Sequence, residues 1–190
     1  MTNQESITMK PIGYVRTKAI GDEVKNKKLV SEIHIKPELS EALDGITEYS
    51  HLHVLFWLHE ISEEKRMTFK VQPRGRSDLP FIGVFAVRTK LRPNPIGLTI
   101  VELIKVENNI LTVRGLDAFN GTPVLDIKPY DFWDIAKEIK VPNWWTKLEE
   151  GKNRTEFLKQ TGSSYFLSIK NELTLTFISS QYTVLTSWLL

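Results

Sequence analysis

Short runs of β-branched and aromatic residues, each closed off by Gly, Pro or a charged cluster, recur about every ten to fifteen residues over the first two thirds of the chain. Ile12 to Val15, Val30 to Ile35, Met67 to Val71, Ile82 to Val87 and Leu98 to Val106 have the length and composition of strands. Asn108-Asn109 before Ile110 to Val113 predicts a hairpin turn, because Asn tolerates positive φ. Only one short helix is expected, from Pro37 through Leu39, Ala42 and Leu43 to the stop at Asp44-Gly45. Without a regular strand–helix alternation a parallel sheet has no crossovers to build on. The expected fold is therefore mainly β, a single closed or nearly closed barrel over residues 10–134. The looser pattern over 135–190 reads as a small C-terminal appendage, with a hairpin from Leu173 to Phe177 and Tyr182 to Leu190.

Composition removes several kinds of chemistry. The sequence of 190 residues has no cysteine, so disulfides, thiolate metal sites and a cysteine nucleophile are excluded. Met1 to Lys10 is polar and lacks an apolar core of signal-peptide length, which predicts a reducing, cytoplasmic setting. The uncharged stretch Leu173 to Leu190 is too rich in Thr and Ser, with Gln181, to predict a membrane span. None of the ten glycines stands two residues from another, so the dinucleotide turn G-x-G-x-x-G is missing, as are the phosphate loop, the nucleophile elbow and H-E-x-x-H.

Charge is unevenly distributed. Lys65, Arg66, Lys70, Arg74, Arg76, Arg88, Lys90 and Arg92 face a single acid, Asp78, so this stretch carries +7 and the rest of the chain −5. The five arginines suit phosphate and base recognition, and Gln72-Pro73-Arg74-Gly75-Arg76 reads as a mobile basic loop. Arg74 and Arg76 are accordingly candidate nucleic-acid contacts. A solvated lysine-rich face is the plainer alternative.

Three further groups of residues can carry chemistry. His51, His53 and His59 share parity on an expected strand, Tyr49 to His59, but Leu55 and Trp57 share that side, and the run is too long for all three to reach one ion. No metal is therefore assigned. In Arg92-Pro93-Asn94-Pro95-Ile96-Gly97 two prolines bar helix at Arg92 and Asn94 and predict a rigid corner presenting the Asn94 amide. In Gly121-Thr122-Pro123-Val124-Leu125-Asp126-Ile127-Lys128-Pro129-Tyr130, Asp126, Lys128 and Tyr130 alternate and share one strand face. A structural ion pair explains Asp126 and Lys128 equally well.

Taken together, Pro11 to Val15, Tyr49 to Leu52, Phe85 to Leu98 and Asp117 to Tyr130 closely resemble the TrmO family of tRNA N6-adenine methyltransferases, in order along the chain. The strings R-P-N-P-I-G and G-T-P-V-L-D-I-K-P-Y carry the likeness. The resemblance implies a β-barrel with S-adenosylmethionine as cofactor, a homodimer, and a tRNA substrate. The target it implies is the adenosine beside the anticodon that already bears a threonylcarbamoyl group on N6. By position it puts cofactor contacts on His59, Glu60, Arg88, Leu98, Asp117, Ala118, Phe119 and Asn120.

Asn120 stands where the family often has Asp, and Glu60 where it often has Gln. The Lys18 to Val30 loop is shorter and richer in lysine than the bacterial pattern, closer to archaeal-like members, so no contacts are transferred to it. On this reading Arg92 and Lys128 help orient the base, and Asn94, Tyr130 or a backbone carbonyl accepts the N6–H, with Asp126 as the alternative base. A non-catalytic RNA-binding barrel and methylation of a different RNA position are the rival readings.

Overall fold

The structure, a computed structural model, describes residues 7–136 and 138–149. The chain divides into two compact units, Met1–Trp145 and Thr146–Leu190. The expected C-terminal hairpin lies outside the described residues.

Six strands close an antiparallel barrel: β1 (Gly13–Arg16), β2 (Val30–Ile35), β3 (His51–Trp57), β6 (Ile96–Glu107), β7 (Ile110–Arg114) and β8 (Pro123–Pro129). Around the barrel the order is β1-β2-β7-β6-β3-β8, and β8 returns to β1 through Gly13 opposite Val124. Closure leaves no unpaired edge within it. A two-stranded ribbon, β4 (Lys70–Val71) with β5 (Ile82–Gly83), and a one-turn helix, α1 (Glu63–Arg66), lie in the long excursion between β3 and β6. A second helix, α2 (Asn143–Glu149), follows the barrel in sequence.

Alternation sets the inside. Along β3, Leu52, Val54 and Phe56 are buried, while His51, His53, Leu55 and Trp57 face outward. With Val15, Ile33, Ile35, Val101, Leu111, Val113, Leu116 and Val124 they form one continuous core. A bulge between β3 and β8 sets Leu55 opposite Asp126 but Phe56 opposite Val124, so the extra residue, Leu125, is buried beside Val124. Gly97 faces inward against the Phe56 ring, where a Cβ would collide with it.

The expected helix at Pro37 is a 3₁₀ helix, Pro37–Leu43, whose Leu39 and Leu43 pack on the core. The strands expected over Met67 to Val71 and Ile82 to Val87 shrink to two residues each. Phe69, Phe81 and Phe85 are exposed and bury no face, and Pro73 and Pro80 interrupt the pairing. The basic loop is an ordered turn: Gln72 donates to the carbonyls of Ser77 and Leu79, and Arg74 holds φ +52°.

Candidate functional site

Antiparallel strands alternate in direction, so one end of the barrel collects the segments after β1, β3 and β7 and before β2, β6 and β8. Residues 17–29, 58–95 and 115–122 thus meet at the same end. Between them lies a cleft of about 360 Å³, lined by Ala19, Ile20, Gly21, Glu60, Phe119 and Asn120. That is within the range of small-molecule sites.

Each wall is held by local bonds. Gly21, at φ +52°, opens a 3₁₀ turn that the Glu23 carboxylate ties back by accepting the Ile20 N–H at 3.0 Å. Asp22 pairs with Lys25 at 2.5 Å, and this bond and charge hold its carboxyl below the usual range, with a smaller lowering from Lys90. Opposite, the Asn120 side-chain carbonyl accepts the Thr17 N–H at 3.3 Å, and Gly121, at φ +78°, donates to the Val15 carbonyl at 2.8 Å. Buried Thr122 has its hydroxyl 3.4 Å from Nδ1 of His59, joining the 117–122 turn to the end of β3.

The proline corner is at the same end. The Pro95 carbonyl accepts the Leu58 N–H at 2.8 Å, one residue before His59, and the Pro95 side chain is fully buried. Asn94 is exposed beside it, and its carbonyl accepts the Ile96 N–H at 2.8 Å. Asp117 accepts a short hydrogen bond from the buried hydroxyl of Thr99 on β6.

Of the residues singled out in the sequence, Glu60, Phe119 and Asn120 line the cleft, and His59, Asp117 and Asn94 stand around it. Three residues of the wall, Ala19, Ile20 and Gly21, were missed. They lie in the loop to which nothing was transferred, and their signal was topological: that loop leaves β1 at the end where 59–60 and 117–120 arrive.

Other assignments are not brought to this cleft. Ala118 is 3% exposed and belongs to the core. Leu98 is opposite Leu55 on the outer wall, because its inward neighbours Gly97 and Thr99 take the other parity. Asp126, Lys128 and Tyr130 run down the same wall. Asp126 is level with Leu55, Lys128 with His53, and the Tyr130 N–H bonds the His51 carbonyl. Tyr130 is thereby roughly the length of β3, about 20 Å, from the strand's exit.

Asp126 and Lys128 form an exposed ion pair at 2.8 Å, which raises the Lys128 pKa. Tyr130 packs edge-on to His53, whose Nε2 is 3.2 Å from Asp134. Arg92 is turned inward to its own segment, donating from Nη1 to the carbonyls of Val84 and Val87 and stacking over Phe85. Arg76 is engaged by Asp78 through two hydrogen bonds, Arg74 is exposed on its turn, and Arg88 is exposed near Lys90. Among the described residues no group of three His, Asp or Glu stands close enough to hold a metal, and no helix is long and apolar enough to cross a membrane.

A closed antiparallel barrel with a small-molecule cleft formed by loops at one end defines a class of ligand-binding β-barrel without the parallel sheet of nucleotide folds. A family profile described as the tRNA-methyltransferase O N-terminal domain matches residues 18–133. The chain belongs to that family, whose methyltransferase barrel it shares.

It is 46% identical over 129 residues to a probable S-adenosyl-L-methionine-binding protein of Methanothermobacter thermautotrophicus, covering 65% of this chain and 90% of that one. An S-adenosyl-L-methionine-binding protein of Archaeoglobus fulgidus is 42% identical over 127 residues, with 64% and 88% covered. Among solved structures, TrmO from Pseudomonas aeruginosa superimposes with a TM-score of 0.60 at 27% identity, over 76% of this chain and 64% of that one. A second TrmO structure gives 0.59 at 30% identity, over 73% and 62%. The chain thus spans less than two thirds of the length of those TrmO structures.

Proposed function

We propose that the chain transfers a methyl group from S-adenosylmethionine to N6 of the threonylcarbamoyl-modified adenosine next to the tRNA anticodon. The observation that carries this reading is the convergence of Glu60, Phe119 and Asn120 on one cleft at the end of the barrel, beside the Asn94 corner. Residues 10–134 carry the activity and 135–190 are an appendage. The protein works as a homodimer in the cytoplasm.

The donor set fits the cofactor. Glu60 supplies a carboxylate for a cationic ligand, Phe119 a half-buried ring for a purine, and Asn120 an amide already anchored on Thr17. Ala19 to Gly21 form the opposite lip, and His59 and Asp117, held by Thr122 and Thr99, steady the rim. When bound, S-adenosylmethionine supplies an electrophilic methyl carbon.

Transfer from a sulfonium is an in-line displacement, so the chain's main task is to orient the acceptor nitrogen, about 3–3.5 Å from the reacting carbon. That nitrogen is a weak nucleophile because its lone pair is shared with the purine and the carbamoyl group. Its proton leaves as the new bond forms. Asn94, fixed by flanking prolines and the Leu58–Pro95 hydrogen bond, is the residue we assign to accept a hydrogen bond from the N6–H through its side-chain carbonyl and so orient it, the proton itself passing to solvent water as the new bond forms. Arg88 and Lys90, exposed at the same end, attract the RNA backbone.

Incubating the purified full chain and S-adenosylmethionine with threonylcarbamoylated tRNA, then digesting to nucleosides for mass spectrometry, tests the proposal. The expected product is the modified adenosine heavier by one methyl group, absent when the cofactor is omitted. A methyl group on another nucleotide would overturn the target. Sedimentation equilibrium of the same preparation tests the dimer, and a monomer at all concentrations would remove it.

A further inference from the structure

Burial decides where the Thr122 hydroxyl sends its proton. Thr122 is 2% exposed, in the turn that leads into β8, and a donor left unpaired away from water is costly. Among the described residues the acceptor within its reach is Nδ1 of His59, at 3.4 Å. With the hydroxyl donating to Nδ1, the neutral ring carries its own proton on Nε2. That nitrogen makes no hydrogen bond among the described residues, and His59 is exposed at the rim of the cleft. The turn is itself fixed. The Thr122 carbonyl accepts the Val15 N–H at 3.0 Å, and the Thr122 N–H donates to the Phe119 carbonyl at 3.2 Å. Thr122 thus makes an exposed imidazole an oriented N–H donor.

On its other side His59 borders the proline corner. β3 and β6 pair as far as Trp57 opposite Ile96, and the Leu58 N–H bond to the Pro95 carbonyl at 2.8 Å carries the same register one step further. His59 and Asn94 are the next residues on the two segments, so both side chains start from one point of the rim. Asn94 brings a carbonyl acceptor there, and His59 brings a donor. A carbamoyl substituent on N6 offers the matching pair: an N–H donor on the nitrogen and, one carbon away, a carbonyl acceptor. Unmodified adenosine has no such carbonyl.

We propose that His59 donates from Nε2 to the carbamoyl carbonyl of the modified adenosine as a catalytic residue, with Thr122 as the positioning residue that holds its ring. This rests on the methyl-transfer reading above and goes beyond it by naming the group that recognises the modification. The new N–C bond uses the lone pair of N6, the C–S bonding pair leaves with sulfur, and the N–H pair returns to nitrogen while its proton passes to solvent water. As that proton leaves, negative charge spreads from N6 onto the carbamoyl oxygen, and an N–H already aimed there stabilises it without reorganisation. The same bond discriminates, since a nucleotide without the carbonyl leaves the donor unpaired.

The Thr122–His59 bond is read without RNA, from the nitrogen chemical shifts of the His59 ring in the free full chain. The neutral ring is expected as the Nε2–H tautomer in wild type and Thr122→Ser, and as a mixture in Thr122→Val. The Nδ1–H tautomer in wild type would overturn the proposal, because the ring would then present an acceptor. Recognition is tested by fluorescence anisotropy with anticodon-loop hairpin RNAs that carry or lack the threonylcarbamoyl group. Wild type is expected to bind the modified hairpin more tightly. His59→Ala should lose about fivefold on the modified hairpin, the effect of one neutral hydrogen bond, and less than about twofold on the unmodified one.

On threonylcarbamoylated tRNA, His59→Ala should lower kcat about 10²-fold, the effect of removing one donor from a developing oxyanion, with calorimetric cofactor affinity within about twofold of wild type. Thr122→Val should lower kcat about tenfold through a misaligned ring, and Thr122→Ser should restore it. Unchanged kcat in His59→Ala, or equal losses on the two hairpins, would overturn the donor's role. A fall in cofactor affinity that accounts for the whole loss would make His59 a cofactor contact and likewise overturn it. No methyl transfer by a wild type that binds cofactor and shows the expected tautomer would instead overturn the methyl-transfer reading on which the role depends.

Discussion

Gly97 and Thr99 are two inward-facing residues of one strand with opposite purposes. Gly97 leaves room for the Phe56 ring, so Gly97→Ala must push an aromatic side chain that is 2% exposed. The expected cost is about 1–3 kcal/mol, read as a lower denaturation midpoint with an unchanged m-value. Thr99 is buried with a hydroxyl committed to the Asp117 carboxylate. Thr99→Val keeps the shape and removes the donor, for a stability loss of about 1 kcal/mol. Because Asp117 stands at the rim of the cleft, calorimetry should show a larger loss of cofactor affinity in Thr99→Val than in Gly97→Ala. The reverse order would make Thr99 a packing residue only. Neither function is visible in the sequence, where both residues are members of one apolar run. Glu60 and Asn120 were reached through the family resemblance, whereas Ala19 to Gly21 lie in the loop to which it transferred no contacts and carry no chemical mark of their own.

The proline corner draws its rigidity from partners outside it. Pro95 is buried and bonded to Leu58, and Arg92 gathers the Val84 and Val87 carbonyls while covering Phe85. Lysine in place of Arg92 keeps the charge and loses the planar fork and the stack. Arg92→Lys should therefore raise hydrogen-exchange rates across residues 84–92 and lower methyl-transfer turnover several-fold, with cofactor affinity little altered. Unchanged exchange would show that the prolines alone hold the segment. Five of the six barrel strands, all but β8, were legible to within two residues, because buried, mostly apolar residues alternate with more exposed ones in β2, β3 and β7. The ribbon was not. Met67 to Val71 and Ile82 to Val87 have strand composition, but their aromatic residues have no core to enter, and composition does not distinguish a ring for burial from one for display. The alternation of Asp126, Lys128 and Tyr130 was read correctly as one face, yet which face, and at which end, depended on pairing with β3 that periodicity does not specify.

Charge at the scale of the whole molecule makes position more informative than sum. The formal net charge is only +2, but Lys65 to Arg92, within the excursion at the cleft end, carries +7, and the remainder of the chain is acidic overall. Screening confines each charge's influence to about 8–10 Å at physiological ionic strength, much less than the length of the twelve-residue strand β6. Lys70 is on the ribbon. Lys105 is near the opposite end of β6, paired with Glu107 at 2.8 Å in an exposed bridge of little energetic value. Lys70→Glu and Lys105→Glu alter net charge equally, so a protein attracting RNA by total charge would respond alike to both. With the approach confined to the cleft end, Lys70→Glu should weaken hairpin RNA binding about tenfold and flatten its salt dependence. Lys105→Glu should leave both within about twofold of wild type at the same ionic strength. Equal losses in the two variants would mean that the RNA path extends along the barrel wall to its far end, and the cleft-end approach would then be wrong.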